Sequence, residues 1–273
     1  MESDPHAWIA TLRRSYQRLA ALVEPMTPEQ VRAKSYCRDW TVAQVLSHLG
    51  SGAEIALLML PGALGEAEPV SRDAFAPIWD VWNAKSPDEQ AADGLAADDN
   101  HIKALEQLTD EQLASIRLDF LGNQFDAVGV IRLRLGEHVL HTWDVEVVQD
   151  PTATLQADAV EMLIDNVPRF LAPRLGNPLP EPFTVRIRTS EPARDYVLTS
   201  AESVRMADWP GDLPGTGDGQ GPADAGAGIA EASMPAEALL RLAYGRLDPA
   251  HTPSSAWADP DTLDKLRAIF PGF

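Results

Sequence analysis

The chain has 273 residues, more than one ordinary domain needs, so one large domain or two modest ones is expected. Apolar residues supply 45% of it and charged residues 23%, which excludes wholesale disorder. With 41 Asp and Glu against 22 Lys and Arg the net charge is −19, so a polyanionic partner such as nucleic acid would be repelled.

The longest apolar run, Ile55–Leu60, falls far short of the ~20 residues that span a bilayer. The opening Met1-Glu-Ser-Asp-Pro-His6 is acidic, unlike a secretory leader. A single cysteine, Cys37, excludes an intramolecular disulfide and a Cys-rich zinc module. A soluble, cytoplasmic protein without a membrane partner is the expectation. The basic residues divide into 18 Arg and 4 Lys, a bias that GC-rich genomes write.

In chain order, residues 5–24 carry Trp8, Ile9, Leu12, Leu19 and Leu22 at helical spacing. Thr27-Pro28-Glu29-Gln30 starts a short helix with Pro at its first position. Trp40-Thr41-Val42-Ala43-Gln44-Val45 is the clearest start. Thr41 is the N-cap, Gln44 its capping-box partner, and Trp40 a hydrophobic staple for Val45. Helical spacing then continues from Val42 to Leu60, with a stop expected at Pro61-Gly62.

A short helix is expected over Asp73–Asn83, and a second capping box at Ser86–Glu89 opens one running to about Leu108 despite Gly94. Thr109–Gln112 starts one more turn. Asp126–Val148 is apolar almost all round, the mark of a central helix. Four long helices with short connections predict an antiparallel bundle.

Asp150-Pro151-Thr152 reads as a boundary, giving a helical domain over 1–150 and a small α+β domain over 151–273. The second part should open with a helix, Gln156–Leu171. Period-two strands follow near Phe183–Thr189, Tyr196–Thr199 and Ser203–Ala207. Residues 210–228, rich in Gly, Pro, Asp and Ala, read as a flexible acidic loop. A strand near 229–233 and helices over Pro235–Tyr244 and Pro260–Phe270 complete the chain. The fold class is therefore mainly α plus α+β.

Glu137-His-Val-Leu-His141 places Glu137 and His141 at i, i+4, one above the other on a helix face, a spacing that suits joint metal coordination. Arg134 and Asp144 lie one turn before and after it. Charges on so apolar a helix should be paired or ligated. His48, at the edge of its helix's apolar stripe, would complete three ligands with an open position, if it faces the fourth helix. The plainer reading is chance spacing and a satisfied core histidine. His138 is a bystander or a second-layer partner; His6, His101 and His251 read as surface residues. Cys37 is either a small buried hydrophobe or a thiol activated near a helix N-terminus. The tryptophans read as core rather than as a binding cage. No nucleophile elbow, P-loop or dinucleotide fingerprint is present.

Asp39-Trp40-Thr41-Val42 running into Leu46-Ser47-His48-Leu49, then Arg134-Leu-Gly-Glu137-His-Val-Leu-His141-Thr-Trp-Asp144-Val145, resembles the DinB-like metal-binding bundles. More specifically the chain resembles the actinobacterial, mycothiol-dependent maleylpyruvate isomerase family. Pro235–Arg246 and the closing Asp261–Pro271 helix are similar to that family's sterol-carrier-like second domain. The resemblance implies zinc held by His48, Glu137 and His141, and a catalytic arginine at Arg246, with Arg241 as the fallback. It implies mycothiol as thiol cofactor, a metal-held thiolate attacking an electrophilic small molecule, and either S-transfer or addition–elimination cis–trans isomerisation. Arg246 would then hold an anionic substrate that the acidic surface repels. Departures lie in the long 210–228 loop and in Ala243-Tyr244, where the family carries a Trp-containing stretch. Two alternatives stay open: a non-catalytic metal-binding stress or sensor protein, and a metal-dependent hydrolase using zinc-bound water. A monomer or weak homodimer is expected.

Overall fold

A computed structural model describes residues 4–37, 39–120, 122–210 and 229–272. The 210–228 loop expectation therefore falls, apart from Pro210, outside the described residues. Contacts divide the chain into two units, Met1–Ala159 and Val160–Phe273. The sequence marks its break at 150/151, but residues just beyond it are tied back to the helices. Trp143 Nε1 donates to the Ala153 carbonyl at 2.9 Å and Arg18 Nη2 to that of Thr154 at 2.8 Å.

The first unit is built from α1 (Pro5–Val23), α2 (Pro28–Arg32), α3 (Val42–Ala63), α4 (Phe75–Ala84), α5 (Pro87–Glu106), α6 (Asp110–Ser115) and α7 (Ala127–Glu146). A short excursion, the antiparallel pair β1 (Leu118–Phe120) and β2 (Asn123–Phe125), precedes α7, where the sequence reading has no strand. Capping boxes form at Thr27/Gln30, Thr41/Gln44, Ser86/Glu89 and Thr109/Gln112, each satisfying two backbone donors at a helix start.

The four long helices α1, α3, α5 and α7 make the bundle. α1 runs antiparallel to α5: Arg13 pairs with Asp99 of α5, while His6, nearer the start of α1, reaches Asp110 at the start of α6, just past the end of α5. α3 runs antiparallel to α7, His48 meeting Glu137 and Leu49 meeting Arg134. The remaining neighbours, α1 with α7 and α3 with α5, are parallel; the stretch containing α4 carries the chain back between α3 and α5. Leu12, Leu19, Leu46, Leu49, Ile102, Ile131 and Leu135 fill the interior.

The length and composition of α3 would allow it to cross a membrane. Its apolar residues Val42, Val45, Leu46 and Leu49 are instead spent on the bundle core. The helix also outruns the expected stop at Pro61. A proline so near the end forgoes little intrahelical bonding, Leu64 N–H still reaches the Leu60 carbonyl at 3.0 Å, and the chain turns at Gly65 (φ 74°).

α8 (Ala157–Leu163) leads from the first unit into the second. The single helix expected to Leu171 is broken. Pro168 has no N–H and its ring opposes the carbonyl four residues back, so a π-turn, Val167–Leu171, and a short α9 (Ala172–Leu175) follow instead. The sheet comprises β3 (Phe183–Ser190), β4 (Arg194–Ser200), β5 (Val204–Asp208), β6 (Ala230–Pro235) and β7 (Trp257–Ala258) in the order β5-β4-β3-β6-β7. β3 and β6 are parallel and the other pairs antiparallel. Val185, Ile187, Tyr196, Leu198, Ala232 and Met234 face inward at period two. The buried α10 (Ala236–Ala243) and α11 (Pro260–Ile269) pack on β6.

Candidate metal centre

α7 lies with both flanks against other helices, so its few polar groups have only a narrow outlet to solvent. Glu137 and His141 share one face, and the antiparallel α3 brings His48 opposite them. His48 Nε2 lies 3.1 Å from Glu137 Oε2, and His141 Nε2 lies 3.6 Å from the same oxygen. One ligand atom from each residue lies within 4.8 Å of the other two. The side chains of His48 and Glu137 are 40% and 47% exposed, that of His141 only 10%, so the cluster is walled on one side and open on the other.

The other nitrogen of His141 is equally constrained. Nδ1 lies 2.9 Å from Oδ2 of the fully buried Asp144, which also accepts from Cys37 Sγ at 3.0 Å. A carboxylate on Nδ1 keeps the proton there and leaves the Nε2 lone pair for a cation. Burial favours neutral forms, yet bonds from His141 and His48 outweigh it and hold the Glu137 carboxyl well below the usual range. Burial likewise pushes His141 down, but Asp144, Cys37 and Glu137 overcome this and raise its pKa above the ordinary value. The Nε2 proton so held against Glu137 is the one a bound cation would displace, leaving the Nδ1 proton on Asp144. That surplus of negative charge favours a cation.

Two nitrogens and a carboxylate oxygen, with one imidazole aligned by a second carboxylate and one open side, fit a divalent metal of the zinc type. A second set, Cys37, His141 and Asp144, also lies within 4.8 Å, but through Nδ1. There Cys37 and His141 both turn a donor to one Asp144 oxygen, which makes it an orienting network for the first set.

The loop between α2 and α3 supplies the walls. Ser35 N–H bonds the Trp40 carbonyl, Trp40 N–H the Cys37 carbonyl, and Tyr36 N–H the Asp144 carbonyl. This folds Trp40 against both imidazoles, its ring 5.1 Å from that of His48 and 6.0 Å from that of His141. From sequence Trp40 reads as a staple and the tryptophans as core; Trp40 does pack on the cluster containing Val45 but also walls the two imidazoles, and Trp79 and Trp257 are exposed.

His101, expected on the surface, is buried. Burial, then the Arg134 charge, lower its pKa to about 3. His138 is fully buried beside Ser15 Oγ, 2.8 Å from its Nδ1. Arg241, the fallback catalytic arginine, is a buried strut: it grips Glu237 with two bonds and donates to the carbonyls of Arg246 and His251. Arg246 follows Gly245 (φ 72°) and donates from Nη1 to the Tyr244 carbonyl at 3.0 Å.

The first unit is thus a four-helix bundle with a candidate metal site. Residues 12–146 match the family described as the mycothiol maleylpyruvate isomerase N-terminal domain. No curated protein matches the sequence. Among solved structures, the mycothiol-dependent maleylpyruvate isomerase superposes with TM-score 0.63 at 14% identity over 90% of each chain, a likeness of fold. A histidine-to-alanine mutant of that isomerase gives the same values. A probable metal-dependent hydrolase from Bacillus subtilis, with an unusual four-helix bundle topology, covers 55% of this chain and 91% of its own, at 21% identity and TM-score 0.43.

Proposed function

We propose that this protein is a zinc- and mycothiol-dependent enzyme acting on an electrophilic small molecule, by S-transfer or by cis–trans isomerisation of the maleylpyruvate type. The observation that carries the reading is the half-open His48–Glu137–His141 cluster, with His141 oriented by a buried carboxylate, in a segment that matches the model of that family. A bound divalent ion would supply Lewis acidity that lowers the pKa of a thiol from its ordinary ~8.5. His48, Glu137 and His141 would hold the ion, and Asp144 fixes the tautomer that makes His141 a ligand. Trp40 walls one side and excludes water there, while the exposed edges of His48 and Glu137 face incoming thiol and substrate. Arg246 is the proposed group for a substrate carboxylate or developing enolate charge, a role that rests on the family resemblance. A cytoplasmic location follows from the same reading.

The deciding experiment follows consumption of an electrophile panel by the purified protein, with and without mycothiol, before and after metal removal by a chelator. Turnover only with both thiol and metal is expected. Consumption that needs metal but no thiol would instead establish the hydrolase reading, and metal binding without consumption under any condition the sensor reading.

A further inference from the structure

We propose that the buried Asp98–Arg134 pair is a positioning device for the metal centre: it fixes the register of α3 against α7, so that His48 meets Glu137 and His141. This rests on the reading that those three residues hold the metal. His48 is the only member of the set on α3, so its approach to Glu137 depends on the axial and rotational alignment of two helices. A slip of one turn moves a residue by about 5.4 Å, more than the whole 3.1 Å separation of His48 Nε2 from Glu137 Oε2. Apolar side chains of suitable size can repack in more than one way, so apolar contacts specify a register less sharply than a bridging polar group does.

The pair supplies what apolar contacts lack. Arg134 sits on α7 one turn before Glu137. Its Nη2 donates both to Asp98 of α5 and to the backbone carbonyl of Leu49, the residue after His48, the latter at 2.8 Å. One guanidinium nitrogen thus joins three helices beside the site. Asp98 is 1% exposed and Arg134 11%; Asp98 Oδ2 also faces His138 Nε2 at 3.4 Å. Burying such a pair costs desolvation that its attraction need not recover, and the best-attested use of buried charges is to specify register. The arrangement is built around the arginine. A Cβ on Gly52, one turn along α3 from His48, would lie 3.0 Å from Arg134 Nη1. On the opposite side, Gly50 and Gly94 let α3 and α5 approach closely, and Asp98 is one turn beyond Gly94. Arg134 acts on the metal only through the placement of His48.

The test compares wild type with the Asp98→Leu/Arg134→Met double variant, which replaces both charges by apolar groups of similar volume. Circular dichroism establishes folding, competitive chelator titration gives zinc affinity, and the visible spectrum of bound cobalt(II) reports ligand geometry. A folded variant with zinc bound about tenfold or more weakly and an altered cobalt spectrum is expected. Should the double variant fail to fold, Arg134→Lys, which keeps the charge but cannot bridge as the planar fork does, is judged by the same measurements. Zinc affinity within threefold of wild type with an unchanged cobalt spectrum overturns the positioning role while leaving the metal site intact. Wild type that binds no zinc, or binds it independently of His141, overturns the metal reading and this inference together.

Discussion

At His141 one imidazole serves two carboxylates, Asp144 through Nδ1 and Glu137 on the side of Nε2. The hydrogen-bond acceptor survives in Asp144→Asn but its charge does not, so the variant should fold yet bind zinc about 10–100-fold more weakly. Competitive chelator titration reads this, and unchanged affinity would count against the orienting role. Cys37→Ser keeps a donor for Asp144, so turnover should stay within about threefold of wild type in steady-state kinetics; a larger loss at full zinc content would put the sulfur in the mechanism.

His101 gives a pH prediction. It stays neutral in the fold down to about pH 3, while in the unfolded chain it takes up a proton near its ordinary value of about 6.5. Between those values the unfolded state binds more protons, so stability falls as pH drops, with a slope approaching about 1.4 kcal/mol per pH unit. Denaturant melts from pH 7 to pH 4 should show a shallower decline in His101→Leu, and identical slopes would contradict it.

Helical spacing puts Glu137 and His141 on one face, but it leaves open whether His48 of another helix meets them; the set of three comes from the family resemblance, and the structure brings the three side chains together. Trp40 and Cys37 reach the site through the fold of a loop, which has no period to read. His101 was misjudged because Asp98, Asp99, Asn100 and Lys103 make its surroundings look solvated. It is buried among apolar side chains of three helices, Leu60, Leu105 and Ile131, a neighbourhood that only the assembled bundle creates.

Among the elements, helix starts were the most legible features, since capping chemistry is local. Endings were less so: α3 passes through Pro61, and the helix after α8 fails at Pro168. The sequence also sees in Gly94 only a weakness in α5. The structure gives its use, because an added Cβ would lie 2.6 Å from the Leu46 carbonyl oxygen of α3. Gly94→Ala gains up to about 1 kcal/mol of helix propensity but meets backbone, an overpacking that costs about 1–3 kcal/mol. A net destabilisation of about 1 kcal/mol is predicted, and a stabilised variant in chemical denaturation would show that α3 and α5 are not so closely held. The short β1–β2 pair carried no alternation long enough to detect.

For the whole molecule, alternation revealed the sheet of the second unit and helical spacing the bundle of the first, but the long-range order β5-β4-β3-β6-β7 had no local signal. A net charge of −19 repels an anionic substrate, so Arg246→Ala should keep its zinc and lose about 10²–10³ in turnover. Turnover within threefold would remove Arg246 from the reaction. In the proposed reading His48, Glu137 and His141 hold one divalent metal. Elemental analysis of folded wild type beside His141→Ala, both purified with zinc present, decides it. About one zinc per chain is expected in wild type and almost none in the variant; full zinc occupancy in His141→Ala would show that these residues do not hold the ion.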